Sequence, residues 1–144
     1  MKYDFFACGR WRNHSNIGEV VDKLRAAGKI VYYFAESKYD GYDIHQDLEP
    51  ADIEDRMKKE EQTEDWQNDA LLRKIFEKDM HGLRESEAIV VVFPIGFSGH
   101  MELGAAYGMG KKCYGIGQPE KAETLYFMFD QIFPNVDEFV RQFS

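Results

Sequence analysis

Apolar residues along this chain follow two rhythms, and the switches between them outline its elements. KYDFFAC at residues 2–8 is a short aromatic run that ends at Gly9, which predicts a strand. SNIGEVVDKLRAA at 15–27 places Ile17, Val20, Val21 and Leu24 three and four apart before Gly28, the pattern of an amphipathic helix closed by glycine. KIVYYF at 29–34 is β-branched and aromatic and predicts a second strand. The chain then turns polar through ESKYDGYDIHQDLEP, a loop long enough to suspect function, and residues 52–64 are almost all charge, read as a solvated helix or lid edge.

In 65–85, Trp66, Leu71 or Leu72, Ile75, Phe76, Met80 and Leu83 share one helical stripe, with an interruption expected near Gly82. AIVVVFP at 88–94 is continuously apolar, as a strand covered on both faces must be, and such strands belong to parallel sheets. A helix at 99–109, a strand at 112–116, a helical stretch at 120–131 and a terminal helix at 135–143 complete the alternation. Strands alternating with helices predict a single α/β domain over residues 1–144: one doubly wound parallel sheet of the Rossmann or flavodoxin-like kind, with helices on both faces.

Composition narrows the partners. The chain has 144 residues, 44% of them hydrophobic, enough to fill one core, and a formal charge of −8 repels a nucleic-acid polymer. Nothing approaches the roughly 20 apolar residues of a membrane span, and Asp4 interrupts what would be the apolar part of a signal peptide. The expectation is a soluble cytoplasmic protein. Cys8 and Cys113 fall in strand-like segments without metal-ligand spacing and read as buried free thiols, so no metal or redox cofactor is implied.

In a doubly wound sheet, ligands bind beyond the carboxyl ends of the strands, and two loops are placed there. Gly9, Arg10 and Arg12 lie between the first strand and its helix, where helix N–H groups and guanidinium groups can hold a phosphate or a hydroxyl-rich ligand. The loop lacks both dinucleotide and Walker-type glycine patterns. The other loop is FPIGFSGHMELG at 93–104. Here Ser98 is placed to cap the next helix and Glu102 to enter its first turn, in otherwise small and apolar company. A carboxylate on so apolar a helix needs a partner or a task. Ser98, His100 and Glu102 do not form a hydrolase triad, because there is no GxSxG elbow and alternate helical residues point apart. His100 reads as a packing or ligand-binding residue.

DMHGLRESEAIVVVFPIGFSGHMELGAAYGMGKK at 79–112 resembles the core motif of the nucleoside 2-deoxyribosyltransferase family, and FFACGRW is similar to that family's first strand and turn. The resemblance implies an enzyme, transferase or hydrolase, that breaks the N-glycosidic bond of a (deoxy)nucleoside or nucleoside 5′-monophosphate. It implies Glu102 as nucleophile, Asp79 as the group that meets the leaving base, and Gly96, Ser98 and His100 as sugar or phosphate contacts, with Gly9 to Arg12 lining the same pocket. It also implies a homodimer or higher homo-oligomer. The family's first-strand tyrosine has no counterpart in Phe5-Phe6. A non-catalytic nucleotide-binding or sensing module of the same fold is therefore the alternative.

Overall fold

The computed structural model describes residues 1–10, 14–39, 42, 43, 58 and 60–144. Its centre is a five-stranded sheet built from β1 (Tyr3–Gly9), β2 (Val31–Tyr33), β5 (Ser86–Val92), β6 (Lys112–Ile116) and β7 (Gln131–Phe133). A separate antiparallel pair, β3 (Lys38–Tyr39) and β4 (Tyr42–Asp43), lies in the polar loop. The helices are α1 (His14–Ala26), α2 (Ala70–Arg84), α3 (Phe97–Gly108) and α4 (Val136–Phe143). Strand order is β2-β1-β5-β6-β7, all neighbours parallel, which is the flavodoxin-like order with its switch point between β1 and β5.

The period-two rhythm of the strands sorts the core into two layers. Phe5, Ala7, Ala88, Val90 and Val92 face Ile17, Val20, Val21 and Leu24 of α1 and Phe139 of α4. Phe6, Cys8, Ile89 and Val91 face Leu83 of α2 and Leu103 and Ala106 of α3. Each face therefore receives two helices, and β5, covered on both sides, is apolar from Ala88 to Val92, after Ser86 and Glu87 at its start. Cys8 and Cys113 are buried free thiols, as their segments predict.

The differences from the sequence reading have local causes. Gly82 does not interrupt α2; it is buried inside a helix that runs on to Arg84. The start of that segment is a 3-10 turn, Trp66–Asn68, and α2 begins only after Asp69, whose Oδ1 accepts from the Leu72 N–H at 3.0 Å. Trp66 and Phe76, assigned to the buried stripe, are exposed. The helical stretch expected at 120–131 is only a 3-10 turn, Thr124–Met128, followed by the edge strand β7. Asp130 directs that change: its backbone N–H donates to the Cys113 carbonyl at 2.8 Å, and its carboxylate accepts from the Cys113 N–H at 2.8 Å, joining the chain to the start of β6. Most of the charged 52–64 stretch lies outside the described residues. Among the described residues, no helix is long and apolar enough to cross a membrane.

α4 has only eight residues, so its hold on the sheet rests on side chains rather than on helix propensity. Phe139 is fully buried, with ring centroids 5.4 Å from Phe5, 5.2 Å from Phe133 and 5.0 Å from Phe143, in edge-on and tilted arrangements. Phe139→Ala is expected to destabilise the fold by about 3–5 kcal/mol. Urea unfolding followed by circular dichroism checks this, and a loss under about 1 kcal/mol would contradict the anchoring role.

Candidate active site at the switch point

β1 and β5 end side by side, with Gly9 opposite Val92. A Cβ at Gly9 would lie 3.0 Å from the Val92 carbonyl oxygen and 2.9 Å from Ile17 Cδ1, so this glycine serves close packing of strand and helix. Beyond the strand ends the two loops meet. Arg10 lies across Gly96, its Nε 3.4 Å and its Cγ 3.5 Å from where a Cβ on Gly96 would sit. Gly9, Arg10 and Gly96 are thus brought to one end of the sheet; Arg12 lies outside the described residues.

Gly96, not Ser98, is the N-cap of α3, in extended conformation and without a capping side chain. Ser98 is the second helical residue and is exposed. The helix begins two residues earlier than its apolar pattern predicts because Gly99 packs on Ile95, a Cβ there lying 3.1 Å from Ile95 Cβ, which closes the first turn. Glu102 therefore sits in the second turn rather than the first, four residues after Ser98 and on the same stripe. Open N–H groups at the α3 start, the Ser98 hydroxyl and the Arg10 guanidinium surround the rim of this end of the sheet.

His100 is engaged within the protein. One ring nitrogen, Nδ1, lies 2.7 Å from the Gly96 carbonyl oxygen, and Nε2 lies 2.9 Å from the Tyr126 hydroxyl, with the two rings stacked 5.8 Å apart. Since a carbonyl only accepts, Nδ1 carries the proton and donates, and Nε2 accepts from Tyr126. His100 fastens the 124–128 turn over the start of α3.

The two candidate carboxylates are on adjacent helices of the same face. Burial pushes Glu102 from its ordinary 4.5 up to about 8, and the negative charge of Asp79 adds to that rise. Asp79, at the third turn of α2, is pushed from 3.8 up to about 6, also chiefly by burial; the Tyr32 hydroxyl and Lys78 oppose the rise and Glu60 adds to it. Tyr32 donates to Asp79 Oδ1 at 2.8 Å. Asp79 ionises first, and its charge then helps keep Glu102 protonated, so the pair holds one proton between about pH 6 and 8. Cys8, beneath Glu102, is held protonated by burial and then by the Glu102 charge.

Two residues at this end of the sheet escape a reading of the sequence. Tyr126 sits in a segment whose pattern suggests a helix. Tyr32 had a usable signal: it shares strand parity with Phe6, its register partner, and so faces α2.

No protein-family model matches the chain, and no curated protein matches its sequence. Among solved structures the chain is similar to the 2-deoxyribosyltransferase of the psychrotolerant bacterium Bacillus psychrosaccharolyticus, described as a biocatalyst for nucleoside synthesis. The superposition has a TM-score of 0.60 and covers 94% of this chain and 89% of that one, at 14% identity. At that identity the likeness is one of fold.

The raised carboxyl of Glu102 has a cost to stability with a definite sign. Its folded-state pKa lies above the unfolded one, so the fold binds this proton more tightly than the open chain does. The associated stability is fully present below about pH 4.5 and is lost as pH rises through about 8. Glu102→Gln, which mimics the protonated side chain, is expected to melt with the wild type near pH 4.5. Near pH 8.5 it should melt roughly 3–8 °C higher, on the order of 1–2 kcal/mol once partial solvent access to the carboxyl is allowed for. Thermal melts across that range measure it, and parallel curves for the two proteins would refute the buried-acid description.

Proposed function

We propose that this chain cleaves or transfers the N-glycosidic bond of a (deoxy)nucleoside or nucleoside 5′-monophosphate, with Glu102 as nucleophile and Asp79 as acid and base. What supports this reading is that Glu102 and Asp79 stand on neighbouring helices over one face of the sheet and that burial raises both carboxyl groups, to about 8 and about 6. The fold likeness to a 2-deoxyribosyltransferase supports it.

The resting proton of the pair belongs on Glu102, whereas the reaction needs it on Asp79. Because Glu102 has the higher affinity for the proton, the reactive arrangement is the minor one. Positive charge developing on the sugar beside Glu102 favours its ionised form and reverses that preference. The ionised Glu102 oxygen then bonds to the anomeric carbon as the carbon–nitrogen bond breaks. The bonding pair leaves on the base nitrogen, which takes the proton from Asp79. In the second step a new base, or water, attacks the anomeric carbon, gives its proton to Asp79 and releases the Glu102 carboxylate. Transfer and hydrolysis share every residue. Arg10, Ser98 and the α3 N–H groups are the contacts for a sugar hydroxyl or 5′-phosphate, and Arg12 belongs to the same loop; His100 shapes that rim through Gly96 and Tyr126.

The alternative, a nucleotide-binding module without turnover, is favoured by the burial that raises Glu102 to about 8, since a protonated carboxyl donates a hydrogen bond to a ligand without attacking it. A homo-oligomer is part of the proposal as well. Phe97 at 87% exposed and Met101 at 71%, on the helix that carries Glu102, and Phe127 at 92%, in the 124–128 turn, are the kind of surface a second copy would cover.

Purified protein incubated with deoxynucleosides and their 5′-monophosphates should release free base or exchange it. The kcat/KM profile should be bell-shaped: below about pH 6 a second proton removes the nucleophile, and above about 8 loss of the last proton removes the acid. Glu102→Gln should lower kcat by at least about 10²–10⁴. Ligand-induced stabilisation without product would support the binding module instead, and neither effect would end both readings. For assembly, sedimentation should show the wild type as a dimer or larger and Met101→Glu dissociated from it; a monomeric wild type would reject the oligomer.

A further inference from the structure

We infer that Tyr32 is a positioning residue that fixes Asp79 Oδ1 and leaves Oδ2 as the oxygen that carries the working proton. The inference rests on the glycosidic reading for the proton's purpose, but the contact itself stands on geometry. Tyr32 lies on the edge strand β2, yet the residue is only 7% exposed. It stacks on Phe6 with centroids 5.1 Å apart and planes 7° from parallel, and it meets the edge of Tyr3 at 5.5 Å. The side toward α2 is closed by Gly82, where a Cβ would come within 2.7 Å of ring atoms Cδ2 and Cε2.

Gly82 follows Asp79 by three residues, so both lie on one face of α2. Because position 82 has no side chain, the helix can rest directly on the ring, and that depth sets the phenol at hydrogen-bond range of the carboxylate one turn earlier. The hydroxyl donates to Oδ1 at 2.8 Å, and Ser37 Oγ, itself buried, lies 3.5 Å from the same hydroxyl. Phe6 and Tyr3 fix the ring laterally, Gly82 fixes its height, and the hydroxyl has one rotational degree of freedom left.

The chemical consequence concerns which oxygen can be acidic. An Oδ1 that accepts from Tyr32 is a poor place for the proton, so a proton that Asp79 takes up or gives to a base occupies Oδ2. Among the described residues, the groups acting on Asp79 are Tyr32 from β2, Lys78 on α2 and Glu60 from the preceding segment, and Asp79 in turn raises Glu102 on α3. Of these, Tyr32 is the one shown in hydrogen-bond contact with a defined oxygen. A residue that only filled the core would leave Asp79 chemistry unchanged when its hydroxyl was removed.

Tyr32→Phe keeps the stack on Phe6 and removes the hydroxyl. Carboxyl ¹³C NMR, with Asp79 assigned by comparison with Asp79→Asn, should show the Asp79 titration moved up by about one pH unit, because a donor to the charged form has been lost. The lower limb of the kcat/KM profile should follow, with kcat down about tenfold and KM little changed. Gly82→Ala, which retains the hydroxyl but displaces the ring, should move the Asp79 titration in the same direction. An unmoved titration in both variants, or an unmoved kcat in Tyr32→Phe, would overturn the positioning role and leave the glycosidic reading standing. The titration needs no substrate, so a wild type that releases no base overturns the glycosidic reading alone.

Discussion

Parallel pairing of β1 with β5, from Tyr3 beside Ser86 to Gly9 beside Val92, is the constraint on which the remaining structure rests. It places the two most apolar strands at the centre, where each must be buried on both faces, and so requires helices on both sides. It also makes the chain reverse direction across the sheet, because β2 joins β1 on one side and β5 on the other. The crevice above that reversal follows from connectivity, before any particular ligand group is considered. Gly9 belongs to this framework: it lets strand end, helix and neighbouring carbonyl come together, which is a packing task.

Two carboxyl groups are then set above an apolar layer made of Phe6, Cys8, Ile89, Val91, Leu83 and Leu103. Burial alone would hold both protonated. The Tyr32 hydroxyl and Lys78 draw Asp79 back toward ionisation, while among the described residues the causes acting on Glu102 both raise it, so the two groups stand at about 6 and about 8. Identical functional groups acquire different proton affinities because their neighbours differ, and the difference stores free energy in the folded protein. That energy is unfavourable to stability and useful to any reaction that develops positive charge beside Glu102.

The site is also held from outside the helices that carry it. His100 spans the Gly96 carbonyl and the Tyr126 hydroxyl, so a turn formed far along the chain is locked to the start of α3. Tyr32, wedged between Phe6 and Gly82, holds α2 from the other side. Aromatic rings with one polar atom suit both jobs, because the ring is fixed by packing and the polar atom is then aimed. Phe97 and Met101 on α3 and Phe127 in the 124–128 turn are left exposed among the described residues.

The sequence by itself determined four of the five strands of the sheet and most of its helices, since a period of two or of 3.6 residues is written in Phe5 to Cys8, in Ile17 to Leu24 and in the unbroken run Ala88 to Val92. It also brought Glu102 to notice, as a carboxylate with no apolar reason to be there. It misassigned the 120–131 stretch because β7 is an edge strand of three residues held by Asp130 to Cys113, a contact without a local pattern. It placed the cap at Ser98 because cap preference is a composition rule, whereas Gly99 packing on Ile95 starts the helix earlier. Only the tertiary structure decided that Gly82 receives a tyrosine ring, that His100 is occupied by its own chain, and that burial raises both Asp79 and Glu102. Those outcomes depend on distances between residues far apart in sequence, and burial and charge act through such distances, not along the chain.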